Sequence, residues 1–229
     1  MHGVHDLRGA QVELTYDPKK AVARLRRVDP KLREVIKRSG PFTHRPEKMQ
    51  SPFQALFRAV VYQQLSGKAA ATIMGRVVAN FPSKRAVRPQ AVLEMPDQKF
   101  RAAGMSQAKV QSIKDLAAKT LDGTVPTLGK LSKMSDEEIV SRLVQVRGIG
   151  VWTVEMLLIF RLGRPDVLPV GDLGVRRGFM LTYGGEELPH ADEMIAHAEC
   201  WRPYRSVASW YMWRAVDLSQ KEKLILPDA

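Results

Sequence analysis

The chain has one cysteine, Cys200, among its 229 residues. That excludes an intramolecular disulfide framework, a four-cysteine iron–sulfur cluster and a cysteine-rich zinc site. Free cysteine is commonly a small buried hydrophobe, and Cys200 is expected to be one. Long apolar runs are also missing. None approaches the ~18–20 residues that a membrane-spanning helix needs, and the opening stretch MHGVHDLRGAQVELTYDP has no apolar segment resembling a signal peptide. A cytoplasmic protein is the expectation. His2, His5, His44, His190 and His197 occur in no spacing that suits a metal site, so neither a catalytic metal nor a cofactor is expected. Acidic residues are few beside basic ones, 24 against 36, and the net charge of +12 favours a polyanionic partner, nucleic acid before an acidic membrane surface. Basic runs such as Arg24 to Arg27 read first as solvated faces and second as phosphate contacts.

Strand-like alternation, hairpin turns between alternating runs, low-complexity tracts and long repeats are scarce or absent, so the chain is expected to be mainly α-helical. Its hydrophobic share of 45% and charged share of 26% are those of an ordinary folded protein with a substantial core. Asp29-Pro30 opens a charged helix over Pro30 to about Ser39, and Gly40-Pro41 closes it. Ser51-Pro52 reads as N-cap and first-turn proline of a helix whose Phe53, Leu56, Phe57, Val60 and Val61 share one face. Ser66 restarts a helix through about Asn80, with Ala69, Ala70, Ile73, Met74 and Val77 apolar. Further helices are expected over Asp97 to Ala103, Ser106 to Leu121, and Ser135 to Val146, the last opened by a capping box, Ser135-Asp-Glu-Glu138.

The densest signal lies between Leu143 and Phe179. A helix ends at Gly148-Ile149-Gly150, and a nearly all-apolar helix follows at once through Trp152, Val154 and Met156 to Ile159. Two glycines around one apolar residue allow a tight turn. They also leave amide N–H groups uncovered at a helix start, where the dipole favours an anion such as a phosphate. A plain interhelical turn is the alternative. Beyond it, the loop Leu168-Pro169-Val170-Gly171-Asp172 delivers an aspartate suited to cap a helix from Leu173 to about Met180. Asp166, in the same loop, is expected to be solvated.

Hairpin, apolar helix and trailing aspartate together resemble the helix-hairpin-helix motif of DNA repair glycosylases. Phe53 to Ile73, and Trp201-Arg-Pro-Tyr-Arg-Ser206 with Trp210 and Trp213, resemble the 3-methyladenine DNA glycosylase II (AlkA-like) family, over roughly residues 50 to 217. No β-rich N-terminal domain precedes the match, so the chain is similar to a compact version, and Arg147 stands where a proline commonly precedes the hairpin glycines.

The resemblance implies an all-α fold, one domain of two helical lobes around a central cleft, with the hairpin at about 143–158 on one rim and Asp172 at the floor. It implies a monomeric, monofunctional enzyme that flips alkylated purines out of double-stranded DNA and hydrolyses their N-glycosidic bond, starting base excision repair, with the protein nucleoid-associated through its DNA. Asp172 takes the catalytic position, Trp152, Trp213 and Met156 the base pocket, Gln64 or Leu65 the wedge that fills the emptied stack, and Gly148, Ile149 and Gly150 the phosphate clamp. Similar hairpins hold a monovalent cation on backbone carbonyls, which here fall near Val144, Val146 and Ile149. Trp201 and Trp210 are expected in the core. Strand-cutting relatives carry a Schiff-base lysine at the place of Trp152, and a tryptophan cannot form one. Met156 stands where the family often has a tyrosine, which keeps deaminated or mismatched bases open as substrates. A non-catalytic helix-hairpin-helix binding module is the rival outside the enzyme class.

Overall fold

The computed structural model describes residues 14–82 and 87–225, of which 222–225 by backbone alone. Among them there is no β-strand. The elements are α1 (Pro18–Val28), α2 (Pro30–Ser39), α3 (Pro52–Tyr62), α4 (Gly67–Ala79), α5 (Pro89–Glu94), α6 (Asp97–Ala102) and α7 (Gln107–Leu121), then α8 (Leu128–Leu131), α9 (Asp136–Leu143), α10 (Val151–Phe160), α11 (Leu173–Tyr183), α12 (Ala191–Ala198) and α13 (Arg205–Ile225). His2 and His5 lie outside the described residues. The described residues form two compact units, one within 47–157 and the other made of 14–46 with 158–225.

In the first unit α3 packs against α4 and α7, and α5 and α6 pack against α7. Ser51 Oγ accepts the amide of Gln54 at 3.2 Å and starts α3, which buries Phe53, Leu56, Phe57, Val60 and Val61 as their spacing predicts. Each such side chain contributes roughly 1.5–3 kcal/mol. Ser106 starts α7 in the same manner, and Val110, Ile113, Leu116 and Ala117 form its inner face. The apolar set of α4 is less buried than its composition suggests, since only Ala70 and Val77 go inside and Ala69 is exposed. The capping box at Ser135 and Glu138 is formed. The helix it starts ends at Leu143, short of Val146, because the amide of Val146 turns back to the Leu143 carbonyl to begin the hairpin.

In the second unit α2 and α11 both pack on α13, and α1 packs on α2. Asp17-Pro18 opens α1 with the same cap-and-proline chemistry that Asp29-Pro30 uses for α2. The Asp29 carboxylate is 3% exposed. Its Oδ1 accepts the Leu32 amide, and its Oδ2 accepts Tyr183 Oη at 2.6 Å, Trp201 Nε1 at 2.8 Å and a bond from His197 Nε2 at 2.9 Å. Burial by itself would raise the Asp29 pKa, but these bonds outweigh it and hold the group below the ordinary carboxylate range. Cys200 Sγ, His197 and Asp29 place donor atoms within 4.8 Å of one another, yet the Asp29 oxygens already serve four hydrogen-bond donors, so the cluster is a hydrogen-bonded knot. Cys200 is exposed rather than buried, because in the tight turn Glu199–Trp201 the fully buried Trp201 takes the inward position. Trp201 is core as expected, and Trp210 is partly buried against Phe42 and Tyr211.

Candidate active site

The hairpin is built by backbone geometry. Val146 gives its amide to Leu143, and Ile149 gives its own to the Val146 carbonyl at 3.0 Å. Gly148 has φ +75°, a left-handed conformation, and a methyl group there would lie 2.5 Å from Ser112 Oγ. Only glycine suits both demands. Ile149 is buried and its amide is engaged, so its part is to pin the turn to the core. Gly150 immediately precedes α10, its carbonyl accepting from Thr153 and Val154. The first amides of such a helix have no intrahelical partner. Trp152 sits in this first turn and is 47% exposed, whereas Met156, one turn on, is partly buried. The Val144 side chain is exposed and that of Val146 is buried, with the Val146 carbonyl turned to the Ile149 amide.

Helix α7 braces this hairpin from behind. Asp115 Oδ2 accepts the Arg147 amide at 2.7 Å and the Lys119 ammonium at 2.8 Å, and Lys119 also donates to the Gln145 carbonyl. Burial pushes the Asp115 pKa up, but those bonds bring it below its ordinary value. Six residues earlier on the same helix, Lys109 Nζ donates to the Val61 and Gln63 carbonyls at 2.9 and 2.8 Å, tying down the end of α3, and Gln63 Nε2 donates to the Gly148 carbonyl at 2.9 Å. Gln64 follows with φ +56°, the sole non-glycine residue with a left-handed backbone among those described, and both Gln64 and Leu65 are exposed. The expected wedge turn and the hairpin are therefore joined through Gln63 and share α7 as their support. The contacts of Lys109, Ser112, Asp115 and Lys119 were not legible in the sequence, since a polar residue on a helix normally reads as solvated.

The second unit holds Asp172. Its Oδ1 accepts the Val175 amide at 2.8 Å, so it caps α11 as its position predicts, and the same oxygen accepts the indole N–H of Trp213 at 2.8 Å. The dipole of α11 and both donors suit a negative charge. Trp213 reaches the carboxylate because residue 174 is glycine, where a methyl group would lie 2.7 Å from the Trp213 ring. The ring also packs against Phe160 with centroids 5.4 Å apart. Trp213, expected as a pocket wall, is hydrogen-bonded to the aspartate in the structure.

Asp166 is not solvated. Its carboxylate is 22% exposed and receives Arg205 Nε at 2.8 Å and Arg202 Nη1 at 2.7 Å. The folded chain returns the start of α13 to this loop, a contact between residues 39 positions apart that no local pattern reveals.

These features have known counterparts. The model of the HhH-GPD superfamily of base excision DNA repair proteins matches residues 57–203. DNA-3-methyladenine glycosylase 1 of Schizosaccharomyces pombe is 35% identical over 209 residues, 91% of this chain and 92% of that protein. Among solved structures, the 3-methyladenine DNA glycosylase Mag1 of the same yeast, in complex with abasic DNA, superposes with a TM-score of 0.75 at 36% identity, over 85% of this chain and 95% of that one. A DNA-3-methyladenine glycosidase from Bacillus halodurans superposes with a TM-score of 0.79 at 32% identity, over 92% of this chain and 94% of that one. With the hairpin, the capped aspartate and matches of this extent, the chain belongs to the HhH-GPD superfamily of base excision DNA repair proteins.

Proposed function

We propose that the protein is a monofunctional DNA glycosylase that removes alkylated purines, of the 3-methyladenine and 7-methylguanine type, from double-stranded DNA as the first step of base excision repair. The observation that carries this reading is Asp172, a carboxylate held by the Val175 amide and the Trp213 indole, in a chain whose relatives are named 3-methyladenine glycosylases. As the base leaves with the electrons of the N-glycosidic bond, positive charge builds on the deoxyribose. Asp172 stabilises that charge and orients the water that adds to C1′, whose proton passes to solvent. A purine alkylated on a ring nitrogen departs neutral. The reaction consumes only water, without a cofactor.

The target base is reached by extrusion from the duplex, with Gln64 or Leu65 filling the gap. Trp152, Trp213 and Met156 are the side chains assigned to receive the base, the tryptophans offering electron-rich faces to a cationic one. Amides of Gly148, Gly150 and the first turn of α10 receive a backbone phosphate, held in place by Ile149, and the carbonyls near Val144, Val146 and Ile149 take a monovalent cation. The enzyme acts as a monomer on the chromosome, in the cytoplasm. Met156 in place of a tyrosine makes neutral, deaminated purines part of the range to be tried.

Purified protein incubated with a methylated duplex is expected to release 3-methyladenine and 7-methylguanine and to leave the strand whole until heat or alkali is applied. Failure to release either base would overturn the activity. A borohydride-trapped enzyme–DNA adduct would overturn the monofunctional assignment, since no lysine stands at Trp152.

A further inference from the structure

The loop that ends at Asp172 is gripped twice by one helix. At the start of α13, Arg205 donates to Asp166 Oδ1 at 2.8 Å, to Oδ2 at 3.0 Å and to the Asp166 carbonyl at 2.9 Å. The next residue, Ser206, accepts the Val167 amide at 2.9 Å and donates to the Arg164 carbonyl at 2.7 Å, while its own amide donates to the Pro165 carbonyl. Every residue from Arg164 to Val167 is thus bonded to the first turn of α13. Trp213, eight positions after Arg205 and hence about 12 Å along the same helix, holds Asp172 at the far end. Between the two grips Leu168 and Pro169 are buried, which leaves that stretch little freedom. The Arg205 side chain is only 15% exposed, and its planar fork meets both oxygens and the carbonyl of one residue, a geometry that a lysine cannot reproduce.

We propose that Asp166, through Arg205, is a positioning residue for Asp172. The pair fixes the register of the 164–172 loop on α13, so that Asp172 meets Trp213 Nε1 with its carboxylate aimed for catalysis. The role rests on the glycosylase reading of Asp172. It differs from a plain stabilising ion pair in one consequence: the value of Asp166 to the reaction disappears when Asp172 has no charge to place.

A double-substitution cycle reads that consequence. Single-turnover release from a duplex bearing one 7-methylguanine is measured for wild type, Asp166→Asn, Asp172→Asn and the double variant, with binding to the undamaged duplex in parallel. Asp166→Asn is expected to slow release on the order of 10- to 100-fold, as misplacing a catalytic group does, with duplex affinity unchanged. In the Asp172→Asn background the same change is expected to cost less than about twofold, since the two groups act as a unit. Arg205→Lys, which keeps the charge and loses the fork, serves in the same cycle if Asp166→Asn melts below the assay temperature. An equal loss in both backgrounds would overturn the positioning role while leaving the glycosylase reading intact. A wild-type protein that releases no base overturns that reading and the role with it.

Discussion

The hairpin and the Asp172 loop are both connections between helices, and they differ in what the distant side chains hold: backbone groups in the hairpin, a carboxylate in the loop. The hairpin turns on its own backbone, with a left-handed Gly148, the Ile149 amide on Val146 and α10 starting directly after Gly150, and Gln63, Asp115 and Lys119 brace that turn through backbone groups of residues 145–148. The Asp172 loop has two backbone bonds close to the aspartate, Val170 to Leu168 and Asp172 to Pro169, and over the rest of its length it is tied by Arg205, Ser206 and Trp213 of one helix, α13. A turn that is to present amides to a phosphate depends on its backbone conformation, which Gly148 sets locally. A carboxylate that must face a transient charge needs to be aimed, which calls for contacts from another element.

Substitutions separate the two regions by what they damage. Asp172→Asn is expected to have the largest effect, a loss of excision on the order of 10²–10³ with duplex binding kept, because the amide retains a capping oxygen and loses the charge. The loss should be greater for neutral hypoxanthine, if it is a substrate, than for a cationic base that leaves readily. Single-turnover rates on the two lesions would contradict this if the order were reversed.

Gly148→Ala should act on binding. The left-handed φ and the contact at 2.5 Å with Ser112 Oγ predict a penalty of about 1–3 kcal/mol, read as a lower Tm and weaker duplex affinity, with the saturated excision rate kept. A variant that binds DNA normally but cuts slowly would erase the distinction between the regions.

Asp29→Asn tests the foundation of the unit that carries Asp172. Losing the charge that Tyr183, His197 and Trp201 surround should cost about 1–3 kcal/mol of stability. Because the folded Asp29 carboxyl is held below its ordinary value, this stabilisation is complete above about pH 4 and fades as the pH falls through the folded value. The Tm gap between wild type and variant should narrow in acid, and thermal melts from neutral pH down to pH 3 would count against the assignment if the gap widened.

Lys109→Met should have the smallest effect, about 1 kcal/mol, by releasing the Val61 and Gln63 carbonyls while keeping most of the aliphatic stem. Affinity for an abasic-site duplex, where the wedge is engaged, is expected to fall more than affinity for an undamaged one. Equal losses on both would place Lys109 outside the wedge support.

What the sequence alone determined is the set of features that local chemistry encodes. Caps and prolines set the starts of α2, α3, α4, α7 and α9, apolar spacing set the inner face of α3, and Gly148 with Gly150 set the hairpin. Asp17-Pro18 carried the same signal for α1 and was legible by the same rule. Asp172 was legible as the cap of α11 from its place before the helix, while its catalytic role is what the family resemblance implies. The tertiary structure alone decided which polar groups find each other: Asp166 with Arg205, Asp172 with Trp213, Lys109 with the end of α3, and Asp29 with three donors more than 150 residues away. A charged residue on a helix or loop looks the same in sequence whether it meets water or a partner, and only the return of a distant helix removes the water and makes the bond matter.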